Sequence, residues 1–249
     1  MNGWIITSVV IVVLVLGATA VLTSGKNSRG NKVLTDNLSA PLNGAKTAKV
    51  EIDSGHGNLT IGPLEGGGQV LADGTLQYIE SLGMPTRTLE TRDGQAILTL
   101  RAVKKSGFRF FWDACRGGAY LWRILLNPAV PSDLTAHSDG GYVELDLSGM
   151  AVTRVAADTG GGNVNVTLPE SVANLSLTAK TGAGNVAVRV PGGIAARIQA
   201  KSGLGKVIVD PRFVKIDACT YQSPGYDEAA NKVEITLQSG AGDVTVNTK

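Results

Sequence analysis

Residues 181–188 read TGAGNVAV. The phrase returns as SGHGNLTI at 54, TGGGNVNV at 159, SGLGKVIV at 202 and SGAGDVTV at 239. SDGGYVEL at 138 is a degenerate copy, with Asp139 in place of the first glycine. The shared pattern is Ser/Thr, Gly, any residue, Gly, polar, Val/Leu, any residue, Val/Ile. Its second glycine falls at 57, 141, 162, 184, 205 and 242, and the three middle steps are 21, 22 and 21 residues. A near-constant period of this length marks stacked structural units rather than one isolated loop.

Each unit alternates apolar and polar residues on both sides of its glycines. Leu175, Leu177 and Ala179 precede the pair in one copy, and Val186, Val188 and Val190 follow it. Period two places each set on one buried face of a strand. The inward set changes parity across the pair, from odd positions to even, so a turn must reset which side faces in. Glycine accepts the backbone angles of such a corner and lets neighbouring backbones come close. We read Gly55, Gly57, Gly160, Gly162, Gly182, Gly184, Gly203, Gly205, Gly240 and Gly242 as structural corners. A phosphate-binding loop would need a helix after the glycines, with a Lys and a Ser/Thr in place, and here a valine-rich strand follows each copy. Second corners fall at LPES, VPGG and DPRF, where proline ends the strand.

The expected fold is therefore all-β: a β-solenoid, or β-helix-like stack, of coils of about 21 residues. A meander of hairpins packed as a sandwich has similar spacing; the near-constant period favours the solenoid. Thirty-two glycines and few aromatics in 249 residues agree with a strand-and-turn protein.

Ahead of this domain, Trp4–Leu22 is nineteen residues without a charge, long enough to span a bilayer as a helix. The preceding MNG has no Lys or Arg, which favours a retained single-pass anchor over a cleaved signal peptide. The basic residues Lys26, Arg29 and Lys32 follow the span, an arrangement that by the positive-inside tendency keeps the domain cytoplasmic; export is the alternative, and the side stays open. The expected organisation is an anchor over residues 1–23, a polar linker over 24–47 and the β domain over 48–249.

Residues 62–137 interrupt the repeat. RDGQ at 92–95 signals a hairpin. A segment rich in rings and cations follows, in which Phe108, Arg109, Phe110, Phe111, Trp112, Arg116 and Trp122 form a candidate interaction surface, with Lys104, Lys105 and Arg123 interleaved. Rings beside cations suit a partner or a lipid headgroup layer. The same residues also suit a cap over the end of the stack.

Other chemistry is weakly signalled. The net charge of +2, without a long basic run, argues against nucleic acid. His56 and His137 lack metal-ligand spacing and read as exposed turn residues; Cys115 and Cys219 read as separate buried thiols, or as one disulfide if the domain is exported. Glu144 and Asp146 share one face of a strand about 7 Å apart, but a glycosidase pair needs a cleft and one carboxyl of raised pKa; we read both as solvated. No metal, cofactor or catalytic residue is expected.

The order of segments resembles a known family. YLWRILLNPAVPSDL at 120–134, ELDLSGM at 144–150 and the glycine strand ending at Leu168-Pro169 are similar to the toast-rack module at the C-terminus of LiaF-like proteins. EIDSGHGNLTI at 51 resembles the module's opening strand and NKVEITLQSGAGDVTV at 231 its closing one. LiaF-like proteins are membrane proteins of the cell-wall-active antibiotic response, usually with several membrane helices where this chain has one apolar segment. The resemblance implies a noncatalytic domain of envelope-stress sensing or signalling. Its implied partners are membrane lipid, through the N-terminal helix, and a protein or envelope component. The alternatives are a self-associating structural or adhesive surface protein and, third, a glycan-active enzyme.

Overall fold

The computed structural model describes the backbone of Gly25 and Lys26 and residues 32–104 and 120–248. The proposed anchor lies outside the described residues; among those described, no helix is long and apolar enough to cross a membrane. Phe108, Arg109, Phe110, Phe111, Trp112, Cys115 and Arg116 also lie outside them.

Strands β1 (Gly25–Lys26) and β2 (Lys32–Pro41) come first. Coil 1 is β3 (Thr47–Asp53), a glycine corner and β4 (Asn58–Pro63). An insertion follows: β5 (Val70–Ile79), one 3-10 turn at Glu80–Leu82, the hairpin of β6 (Thr86–Arg92) and β7 (Gln95–Arg101), then β8 (Leu121–Leu126). Coil 2 is β9 (Ser132–Ser138) with β10 (Val143–Asp146), coil 3 is β11 (Val152–Gly161) with β12 (Val164–Thr167), and coil 4 is β13 (Asn174–Ala183) with β14 (Val186–Val190). Coil 5 is β15 (Ala195–Leu204) with β16 (Val207–Val209). After a short hairpin of β17 (Val214–Lys215) and β18 (Thr220–Gln222), coil 6 is β19 (Lys232–Ala241) with β20 (Val244–Thr248).

These strands make two ten-stranded sheets. The first runs β17-β18-β15-β19-β13-β11-β9-β3-β7-β6, and the second β1-β2-β5-β8-β4-β10-β12-β14-β20-β16. Successive coils pair in parallel, which is the solenoid arrangement; antiparallel pairs frame its two ends. The coils do not stack in chain order. Coil 6 lies between coils 4 and 5, because β19 pairs with both β13 and β15, and β20 with both β14 and β16.

In-register pairing turns the sequence alternation into straight apolar rows between the sheets. Leu59, Val143, Val164, Val186, Val244 and Val207 form one row, and Val50, Leu134, Val155, Leu177, Ile235 and Ile198 face it from the first sheet. All but Val207, in the end coil, are buried. Each such side chain contributes on the order of 1.5–3 kcal/mol when fully withdrawn from water. A single coil cannot shield both of its faces, so the stability belongs to the stack.

Three expectations require correction. Residues 32–41, read as linker, form β2 in the second sheet, with Leu34, Leu38 and Ala40 buried. The alternation was masked by Asp36, which points inward and meets Arg87 of β6 at 2.7 Å, the two side chains only 1 % and 3 % exposed. That approach is not along an N–H axis, so the pair attracts as charges more than as a hydrogen bond. Trp122, placed on the interaction surface, is fully buried at 0 % exposure and donates its indole N–H to the Gln77 carbonyl at 2.9 Å. Its alternation with Ile124 and Leu126 fixes it inward on β8. Cys219, read as a buried thiol, is half-exposed and free. RDGQ does turn a hairpin: Asp93 (φ 49°) and Gly94 (φ 75°) carry the two left-handed central positions of a tight type I′ turn between β6 and β7.

Candidate functional site

The glycine corners lie one above another along an edge of the stack. A Cβ at Gly184 would sit 2.1 Å from the Gly162 carbonyl oxygen, at Gly242 2.0 Å from that of Gly184, and at Gly205 2.2 Å from that of Gly242. The first glycines repeat this: Gly182 against Gly160, Gly240 against Gly182, and Gly203 against Gly240, each at 2.4 or 2.5 Å. Gly160 meets Asp139 at 2.4 Å, Gly162 meets Gly141 at 2.5 Å, and Gly57 packs under the Tyr120 ring. Gly55 has φ 60° and packs near Ala102. The space a side chain would need is filled by the neighbouring coil's backbone, so these glycines serve stacking.

The Ser/Thr that opens each phrase has a role the sequence reading missed. Thr159 Oγ1 donates to the Gly141 carbonyl, Thr181 Oγ1 to Gly162, Ser239 Oγ to Gly184 and Ser202 Oγ to Gly242, each at 2.8 Å. Each hydroxyl is at least half-buried and bolts its coil to the one below. The polar residue after the second glycine forms a second ladder. Asn163 Oδ1 accepts from the Asn185 N–H, Asn185 Oδ1 from Asp243, and Asp243 Oδ1 from Lys206, where the series ends at coil 5. The recurrence of these residue types in fixed slots was the available signal.

A charged cluster crosses the outer face of the first sheet near this edge. His137 is half-buried on β9 rather than exposed in a turn. Its Nδ1 meets Asp158 Oδ2 at 2.5 Å and its Nε2 meets Asp139 Oδ1 at 3.0 Å. Lys104 bridges Asp53 at 2.9 Å and Asp139 at 3.1 Å. Burial opposes the imidazolium, but hydrogen bonds to Asp139 and Asp158 outweigh it and raise the His137 pKa. Burial likewise works against the Asp139 carboxylate and is outweighed by His137 and Lys104, which lower its pKa. Burial pushes the Tyr120 hydroxyl up to about 12. Asp53, His137 and Asp139 are close enough to share one cation. The Lys104 ammonium already holds the position between the two carboxylates, and both imidazole nitrogens are engaged. The cluster therefore laces coils 1, 2 and 3 together. His56 is half-buried in its own corner.

Glu144 and Asp146 stand exposed on β10. Glu144 borders a shallow groove of about 270 Å³ with Asn165, Thr167 and Arg189, whereas Asp146 accepts the Ser148 N–H at 3.0 Å in a local turn. The two do not converge on one cleft.

Among the described residues, four of the six exposed large apolar side chains gather at the coil 5 end, while Met84, just before β6, and Tyr142 lie apart from them. Leu204 is 78 % exposed, and Ile208, Val214 and Ile216 are 50–56 % exposed. β16 is the last strand of the second sheet, while β18 and β17 extend the first sheet past β15. The opposite end is guarded: its edge strand β6 turns Arg87 inward and carries the exposed ion pair of Arg92 with Glu90 at 2.6 Å. The open end is thus the candidate interaction surface among the described residues.

No curated protein matches this sequence significantly. Among solved structures, a candidate cell adhesion protein from Clostridium sporogenes ATCC 15579 superposes with a TM-score of 0.76 at 22 % identity, over 88 % of this chain and 100 % of that one. A candidate adhesin from Bacteroides fragilis NCTC 9343 aligns over 86 % of this chain and 97 % of that one at 11 % identity, with a TM-score of only 0.33. The first similarity identifies the fold. The family model described as the N-terminal domain of toast_rack, DUF2154, matches residues 27–189, from before β2 to the end of coil 4, and the chain belongs to that family.

Proposed function

We propose that this chain is a noncatalytic binding and scaffold domain, anchored to a membrane by its N-terminal apolar segment and acting in the sensing or signalling of envelope stress. The observation that carries the binding role is the asymmetry of the stack. One end turns a charge inward, while the other leaves Leu204, Ile208, Val214 and Ile216 exposed around an unextended strand edge. Exposed apolar side chains grouped on a sheet edge mark a site for another polypeptide. The partners of this reading are bilayer lipid, through Trp4–Leu22, and a protein or envelope component at the open end. The name of the Clostridium sporogenes structure supports a second reading, an adhesive or self-assembling surface protein, for which the same end would serve.

The test uses the full chain in its native cells. The tagged protein is expected in the membrane fraction after an alkaline carbonate wash, and deletion of residues 1–23 should release it. Cells deprived of the domain should respond differently to a cell-wall-active antibiotic. A chain that is soluble without the deletion, or an unaltered response, overturns the anchored signalling role. Protease treatment of intact and lysed cells then fixes which side the domain faces.

A further inference from the structure

We infer that the open edge of β16 takes one extended, acid-bearing segment of a partner protein, which pairs parallel to β16 as an added rung of the second sheet. The inference rests on the reading of this end as a binding face and names the class of partner.

The bonds inside the stack show which groups the edge offers. Val164 donates its N–H to the Asn185 carbonyl of the next coil at 2.9 Å, Val186 to Asp243 at 2.9 Å and Val244 to Lys206 at 2.8 Å. Val207 fills the same place in coil 5, where β16 is the last strand of its sheet. The second glycines repeat the series. Gly162 donates to the Ala183 carbonyl, Gly184 to Ala241 and Gly242 to Leu204, each at 2.8 Å, and Gly205 is the next donor in line. The N–H groups of Gly205 and Val207 therefore aim at the open side. Within the stack such a pair is met by alternate carbonyls of one parallel strand, and an incoming segment meets it the same way.

The room beside β16 is one strand deep. β18 pairs with Arg197–Gln199 of β15 and β17 lies beyond it, so the first sheet is already extended on this side. A second two-sheet domain has no berth here, whereas a single strand has one, on the second sheet above β18. Tyr221 is level with the buried Ile198 and turns its half-buried ring to the inner side, beneath that berth. The Lys215 ammonium lies 5.6 Å from the centre of the ring. Inward side chains of the segment rest on this floor, and Ile208 is their neighbour on the outer face. Val214 is level with Gln222 and Arg197 on the opposite face of the β17–β18 hairpin and stays outside the contact.

Charge selects the segment. In coils 3, 4 and 6 the slot after the second glycine holds Asn163, Asn185 and Asp243, each an acceptor that reaches along the stack to an N–H of the next coil. Coil 5 holds Lys206 there. An ammonium has donors only, so this slot cannot receive the N–H of another coil of the same consensus and calls instead for a carboxylate. Among the described residues, neither Lys206 nor Lys215 has a carboxylate partner. The nearby acids are engaged in their own turns. Asp210 accepts from the Arg212 N–H and the Thr248 hydroxyl, and Asp217 from the Cys219 and Thr220 N–H groups. The charge that complements this edge is negative.

The experiment uses the full chain in detergent micelles and a fluorescein-labelled peptide, Thr-Glu-Val-Ile-Val-Thr-Glu, whose first glutamate comes level with Lys206. Anisotropy should show saturable binding, weakened about tenfold or more by Lys206→Glu. A second peptide, with lysine in place of that glutamate, should reverse the preference and bind the Lys206→Glu chain better than the native one. Val207→Pro removes an edge donor that takes no part in pairing with β20, and should abolish binding while circular dichroism stays native. Hydrogen exchange at the Gly205 and Val207 amides should slow when the first peptide is bound. A native chain that binds neither peptide at millimolar concentration overturns the inference. So does binding that Lys206→Glu leaves unchanged, or an edge protected in the absence of peptide by self-association in sedimentation. Should Val207→Pro unfold the domain, the charge reversal decides alone. The membrane fractionation and antibiotic response are read separately, so either proposal can fail while the other stands.

Discussion

The position a Cβ would take on Gly184 lies 2.1 Å from the carbonyl oxygen of Gly162, one coil away. A β-branched side chain there meets backbone that cannot move without opening the stack, and φ of 144° is unfavourable for it as well. Gly184→Val should therefore cost more than about 3 kcal/mol and destabilise the whole domain. Thermal unfolding followed by circular dichroism measures it. A variant that keeps its melting temperature would show that the coils do not depend on this approach.

Thr181 tests the bolts. Its hydroxyl donates to the Gly162 carbonyl at 2.8 Å. Thr181→Val keeps the shape and leaves that carbonyl one donor short, at a cost of about 1–2 kcal/mol. Thr178→Val, on the outer face of the same strand, should change stability by less than about 0.5 kcal/mol. Urea unfolding of both variants gives the comparison; equal losses would remove the special role of the corner hydroxyl.

The cluster around His137 predicts a pH dependence. Its folded pKa is raised, so its contribution is complete below the ordinary value of about 6.5 and is lost as pH rises through the folded value. The Asp139 pKa is lowered, so its contribution is present above the usual carboxylate range, about pH 4, and is lost as acid protonates it. Stability should be greatest between about pH 4 and 6.5. Each side chain is near one-third exposed, so solvent screening holds the alkaline loss below about 1 kcal/mol. His137→Gln should flatten the fall between pH 6 and 8.5 in a series of melting curves, and a fall that persists in this variant assigns it elsewhere.

Arg87 and Asp36 should behave as a unit. Arg87→Met alone leaves a buried carboxylate without its counter-charge and should cost about 3–5 kcal/mol. The pair Asp36→Leu with Arg87→Met should recover most of that loss. Denaturant titrations of the two single variants and the double variant make the cycle, and additive losses would mean that the charges act independently.

Much of the core was legible because period two has one reading once both flanks of a corner show it. The alternation alone places Leu177 and Val186 inward. The inward Asp36 broke that alternation, since a carboxylate enters an apolar row only with a partner fifty-one residues away, which no local pattern displays. Trp122 misled in the opposite sense: neighbouring arginines and rings suggested a surface, although Ile124 and Leu126 marked the buried parity. The open end could not be read at all. Its apolar residues lie in different strands and turns, and their grouping depends on which coil is outermost. Coils that share one consensus present equivalent faces to one another, so the sequence alone does not order them.

The placement of coil 6 between coils 4 and 5 sets a requirement on synthesis. A ribosome releases coil 5 before the residues that must separate it from coil 4 exist. Because its faces match those of coil 6, the nascent coil 5 has a wrong berth open to it directly on coil 4, and must leave that berth once Lys232–Thr248 emerges. A premature stop between Lys232 and Thr248 would then yield a protein in which coil 5 is misdocked or adrift, rather than a stack one rung shorter.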